Sequence, residues 1–228
     1  MSAQKGCSKQ GRPGGCKMLF RGLTPVFPAA GESNQDRGAL TLNSTEYPLF
    51  APPAHLSAKG RKNWTAREAK EYRDWLLGVF DDRIKSLITR LGVPFGDTPT
   101  EHLLSVGERA KTLLLGAPFS EESPGGRKLT NLGYALAADL GLLVAKYLLD
   151  RAGDVLRWEI IRKPKSELSY NLPVLEGFGF NYLDPIGGST AEASAVLRGQ
   201  RGADAWQRIY EFWLKKAQRE GERGQPSR

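Results

Sequence analysis

Thiols are almost missing from this chain. Of its 228 residues only Cys7 and Cys16 are cysteines, and both lie in a stretch rich in Gly, Lys and Ser. A C-x8-C pair with no histidine beside it makes a poor zinc site. Residues 47–220 have no cysteine, so neither thiol catalysis nor a structural disulfide is available there. Histidine is equally scarce, with only His55 and His102. His102 falls in the first turn of an expected helix, a position that favours exposure over general-base chemistry. No H-E-x-x-H, Asp-rich calcium loop or G-x-x-x-x-G-K-[ST] occurs. These absences argue against a resident metal, a cofactor and P-loop chemistry. Lone Gly177-Phe178-Gly179 lacks a third glycine and a following helix. It reads instead as a bend or bulge at a strand end.

One sign of charge is missing from the start. Residues 1–31 carry five cations and no acid. Residues 198–228 carry eight cations and four acids. The formal net charge is +8, so the ends account for +5 and +4 and residues 32–197 for −1. The basic character belongs to the ends. A near-neutral body argues against specific nucleic-acid binding, leaving only weak, salt-sensitive attraction through the tails. Met18–Ala30 is somewhat apolar, but Arg21, Pro25 and Pro28 break it, so no secretory leader is expected.

Residues 1–46 lack a sustained apolar period and read as a disordered basic tail. Residues 47–220 read as one globular domain, and 221–228 as a short disordered end. Tyr47–Pro53 (YPLFAPP) is proline-restrained and extended, a strap whose Tyr, Leu and Phe lie across the body. Thr65 with Glu68 forms a capping box. Behind it Tyr72, Trp75, Leu76, Val79, Phe80, Ile84, Leu87, Ile88 and Leu91 recur every three or four residues, one face of a helix ending at Gly92. Arg83 is expected on its wet side. A second helix begins at Thr98-Pro99-Thr100-Glu101 and stops before Gly116 and Pro118. Ser120–Lys128 reads as a polar loop.

A third helix, capped by Thr130 and ended by Gly153, is apolar nearly all round from Leu132 to Leu149. It is just long enough for a membrane span. Asp139, Lys146 and several small residues make it a mediocre one. With amphipathic helices at hand to cover it, the expectation is a buried central helix and no membrane. Gly133, Ala137, Gly141 and Ala145 recur every four residues, a smooth row for close approach of another backbone. Leu156–Arg162 alternates apolar and charged residues and pairs with Leu172–Phe180 as a hairpin. Asp184-Pro185 opens a fourth helix ending near Arg198, and Ala203 to about Glu220 is the fifth. The expected fold class is α+β, mostly α: a compact domain of five helices, one of them the nearly all-apolar central helix, with one two-stranded β-hairpin.

Three sites carry possible chemistry. Arg162, Lys163, Lys165 and Ser166, followed by Tyr170, form the one dense cationic run of the body, fit for a phosphate or an acidic partner surface. Gly187, Gly188, Ser189 and Thr190 stand at a helix start, where free N–H groups favour anions. Against that, Asp184 competes for those donors as the cap. Asp139 is the lone acid of the apolar stretch Leu132–Leu149; either it points at solvent or it needs a partner, with Arg157, Arg162 or Lys146 available and Tyr134 nearby. Glu159 and Glu176 each sit on a strand and are candidates to face one another. The expected function is a non-enzymatic protein–protein interaction protein of a bacterial cytoplasm, an adaptor or toxin-neutralising module with an unknown protein partner. The alternative is a small phosphate- or nucleotide-binding enzyme. There Arg162, Lys165, Ser189 and Thr190 would hold phosphoryl oxygens, and Asp139 or Glu159 would act as base.

Overall fold

The computed structural model describes residues 47–224, so the cysteines and the basic start of the chain lie outside the described residues. The strap from Tyr47 leads into a single helical turn, α1 (Ala54–Ser57), and a 3-10 turn over Arg61–Asn63. Helix α2 (Ala66–Leu91) follows. Thr65 Oγ1 accepts from the Glu68 N–H at 3.2 Å, and the Glu68 carboxylate accepts from the Thr65 N–H at 2.7 Å. Lys59 also binds Glu68, which lowers that carboxyl to about 2. Gly92 closes the helix in the left-handed region at φ 62°.

Helix α3 (Pro99–Leu114) starts on the Thr98 cap. Between α3 and the central helix, the expected polar loop contains a short antiparallel ladder of β1 (Ser120–Glu121) and β2 (Lys128–Leu129). Helix α4 (Asn131–Ala152) is the hydrophobic helix. Its most apolar stretch has a mean hydropathy of 1.5, enough to cross a membrane, yet 72% of that stretch is buried inside the protein. The cover comes from α2 and α3 together with α5 (Pro185–Leu197) and α6 (Ala205–Gly224). Helix α6 therefore runs past residue 220, where the chain was expected to fray.

The small-residue row on α4 is a contact surface. A Cβ on Gly141 would lie 2.2 Å from the Pro185 carbonyl oxygen, and one on Gly133 would lie 2.1 Å from that of Phe119. Helix α5 thus sits on α4 at backbone distance, and Ser189 donates to the Ala137 carbonyl at 2.5 Å.

The expected hairpin is a three-stranded antiparallel sheet in the order β3 (Arg157–Ile160), β4 (Pro173–Phe178), β5 (Asn181–Leu183). The expected second strand stops at Phe178 because Gly179, at φ 70°, turns the chain, and Phe178 pairs with Asn181 across a two-residue loop. The register slips between Glu176 and Phe178, with Gly177 at φ 117°. Its missing Cβ would lie 2.4 Å from the Val155 carbonyl oxygen, so both conformation and space demand glycine there. Glu159 pairs with Val174 and Glu176 with Arg157, so the two acids do not face each other. Both bind Arg157, at 3.2 and 3.5 Å.

Candidate functional site

The buried polar groups of this core join one element to another. Asp139 has no exposed surface, and its partner is none of the three cations expected. Arg83 of α2 reaches in from the supposed wet side. Its Nε donates to Oδ1 at 2.5 Å and its Nη2 to Oδ2 at 2.9 Å. Tyr47 of the strap donates to Oδ2 at 2.6 Å. The same guanidinium donates to the carbonyls of Pro48 and Leu49, each at 3.0 Å, and lies over the Phe50 ring. Burial raises the Asp139 carboxyl above its ordinary range, and the Arg83 and Tyr47 bonds pull it back. Three donors converge on two oxygens, which is the geometry of a carboxylate. Asp139 is therefore the latch that fastens the strap and α2 to α4. Arg83 follows Phe80 by three residues and precedes Leu87 by four, so it lies on the edge of the apolar stripe. That spacing is the signal that could have marked it.

The cationic run lies on the connection between β3 and β4, and its base is rigidly held. Asn171 is fully buried with φ 67°. Its amide donates to the carbonyls of Arg61 at 2.7 Å and Trp64 at 3.0 Å, while Arg162 donates to its oxygen. Arg61 returns a bond to the Leu168 carbonyl at 2.6 Å, and Ser169 donates to Asp184 at 2.9 Å. Tyr170, expected at the binding surface, is buried at 4% exposure, with Arg162 over its ring at 5.6 Å. Arg162 is exposed but committed to Asn171 and Tyr170. Lys163, Lys165 and Ser166 stand in solvent beside Leu168, an apolar side chain left 47% exposed. Asn171, Arg61 and Leu168 were not expected here. The readable hint was the residue type, an Asn at the end of the loop just ahead of the Leu172–Phe180 strand, since among residues with a side chain Asn is one of the few that visit the left-handed region.

The Gly187–Thr190 turn is used internally. The Asp184 carboxylate accepts from the Gly187 N–H at 2.8 Å and caps α5, taking the donors an anion would need. Burial raises the Asp184 carboxyl, opposed by its bonds to Gly187 and Ser169. Ser189 is 1% exposed. Its hydroxyl donates to Ala137 and accepts from the indole N–H of Trp206 at 2.7 Å, tying α5 to α4 and α6. Thr190 is also buried. Ser169 and Asp184 bring the basic loop and the start of α5 together, but the Ser189 hydroxyl points into the core.

His102 is buried at 1% exposure, contrary to the expectation for a first-turn residue. Phe95 stacks on its ring and Tyr147 meets it edge-on, with 2.5 Å between the Tyr147 hydroxyl and Nδ1. Among the described residues its Nε2 makes no hydrogen bond of full geometry, although a backbone group of Val93 interacts with the ring. Burial lowers the pKa of the ring, so it is neutral near pH 7. In the unfolded chain the imidazole takes up a proton near its ordinary value of 6.5, while the native ring resists. The unfolded state then binds more protons, and stability falls as pH drops below that value towards the native pKa. We expect the difference in melting temperature between wild type and His102→Gln to narrow steadily from pH 7 to pH 5. Parallel melting curves would contradict the buried neutral ring.

An open depression of about 580 Å³ lies alongside, between the start of α3, the end of α4 and one edge of α6. Thr98, Thr100, Arg151, Tyr210 and Lys215 are among its lining residues. Among the described residues no group of three or more His, Cys, Asp or Glu side chains is placed to hold a metal ion. No protein-family model, curated protein or solved structure matches the chain.

Proposed function

We propose that this protein is a non-enzymatic interaction module, an adaptor or toxin-neutralising protein of a bacterial cytoplasm, that binds a protein partner through the β3–β4 loop. The observation that carries the proposal is the construction of that loop. Its base is immobilised by Asn171, Arg61 and Ser169, while Lys163, Lys165, Ser166 and Leu168 are held out in solvent. A pre-organised loop loses little conformational freedom on docking, which is where much of the cost of association lies. Two exposed lysines followed by an exposed leucine on one loop suit an acidic surface with an apolar pocket. Burial of α4 by its own chain supports a protein that works away from lipid.

The phosphate-enzyme alternative draws less support. It needs the Ser189 and Thr190 hydroxyls beside Arg162 and Lys165, and Ser189 is spent on Ala137 and Trp206. Asp139, its candidate base, is saturated by Arg83 and Tyr47.

The test is a mild-crosslinking pull-down from native lysate with wild type and Lys163→Glu/Lys165→Glu. Both lysines are exposed, so the variant folds normally. The expected result is a discrete partner that crosslinks to wild type and is at least tenfold depleted with the variant. Identical recoveries, or none from either, would count against the proposal.

A further inference from the structure

Helix α6 carries a second surface that the loop does not explain. Its buried side is formed by Trp206, Tyr210 and Ala217. At 3.6 residues per turn, Arg208, Phe212, Lys215, Lys216, Arg219 and Arg223 fall on one arc about 100° wide, and they extend along roughly 22 Å of the helix. That arc holds five cations and no acid. Phe212, near its middle, is 47% exposed. The Lys216 ammonium lies over the Phe212 and Trp213 rings at 4.7 and 4.8 Å. Arg208 has Asp204 at 3.7 Å, and Arg223 has Glu220 at 2.6 Å. Lys215 and Arg219 have no ion-pair partner among the described residues. The arc is therefore a row of cations around a half-exposed aromatic ring, and among the described residues Lys215, Lys216 and Arg219 form no ion pair.

Its borders decide what fits. Glu211 and Glu222 line one edge, and Glu220 lines the other. A nucleic-acid duplex or an anionic bilayer is wider than the arc and would press phosphates against these carboxylates. A single acidic helix or strand is as narrow as the arc, and cationic residues beside its acidic row would meet the bordering glutamates. We infer that the outer face of α6 docks an acidic amphipathic protein segment, with its carboxylates over Lys215 and Arg219 and an apolar side chain against Phe212. This anatomy, an aromatic anchor inside a charged rim, is that of protein–protein contacts.

The probe is a fluorescein-labelled helical peptide of about 15 residues, which spans the arc at 1.5 Å per residue. It carries Glu along one face, a Leu at the middle of that face and Lys at its flanks. Titrated against the full chain by anisotropy, it should bind saturably. Lys215→Glu/Arg219→Glu should weaken it at least tenfold and Phe212→Ala about fivefold. Lys163→Glu/Lys165→Glu should leave it unchanged, which separates this surface from the loop. Matching wild-type circular dichroism confirms that the α6 variants fold. Absence of saturable binding, equal affinity for the charge-reversed variant, or tighter binding to a 15-base-pair duplex or to phosphatidylserine vesicles would overturn the inference.

Discussion

Replacing Arg83 by Met should destabilise the protein by about 3–5 kcal/mol, because the buried Asp139 charge would lose the one cationic partner it has among the described residues. For a chain of this size that corresponds to a fall in melting temperature of roughly 6–20 °C. The loss is not the worth of the ion pair. Two bonds to Asp139 vanish while the carboxylate stays buried, and the strap also loses its ties at Pro48 and Leu49. The test of cause is the combined variant Arg83→Met/Asp139→Leu/Tyr47→Phe, which removes both charges and the hydroxyl together. Uncharged side chains of similar volume often replace a buried ion pair at little cost. The triple variant should therefore recover most of the stability lost by Arg83→Met alone. A triple variant that loses as much as the sum of its parts would mean that packing, and not the stranded charge, sets the cost.

The second large effect opposes helix propensity. Gly141→Ala places the best helix former in the interior of a long helix, a change worth about 1 kcal/mol in favour at an open site. Here the new methyl would sit 2.2 Å from the Pro185 carbonyl oxygen and 3.0 Å from the Ser189 Cβ. Both neighbours belong to α5, which would have to retreat along its whole contact with α4. Such overpacking costs about 1–3 kcal/mol, occasionally more. A backbone carbonyl cannot swing aside, so the upper end is expected. Gly78 of α2 is the control, since a Cβ there meets nothing within 4 Å. Gly78→Ala should raise the melting temperature and Gly141→Ala lower it, with the same chemical change in both. Two shifts of the same sign would refute the close seating of α5 on α4.

Local chemistry carried most of the fold into the sequence. The caps at Thr65, Thr98, Thr130 and Asp184 all form, because each is a short-range bond between a side chain and a nearby N–H. The four-residue row of small side chains on α4 was visible, and so was its use for close approach. The third strand was missed because Asn181–Leu183 has only three residues, too few for an alternation to show. Its real signal was the Gly179-Phe180 turn, where the backbone reverses.

The sites were less legible, because their partners are far away in the chain. Asp139 was marked as a buried acid needing a cation, yet Arg83 lies 56 residues before it and Tyr47 lies 92 before. Local spacing puts Arg83 at the edge of the α2 stripe, but it does not link that arginine to an acid 56 residues further on. Ser189 looked like an anion donor at a helix start. Only its contact with the carbonyl of Ala137, 52 residues away, shows that it faces the core. Tyr170 and His102 share the lesson. A polar ring beside charged neighbours suggests exposure, and tertiary packing buried both.

Burial of α4 by its own neighbours supports everything else, since the strap latch, the α5 seat and both docking surfaces are built on it. Native-state hydrogen exchange of the Asn131–Ala152 amides tests it most directly. Amides in the middle of α4 should be the slowest in the chain, exchanging only through global unfolding, and detergent micelles should leave their rates unchanged. Exchange as fast as at residues 221–224, or protection that appears only when micelles are added, would contradict a helix buried in protein.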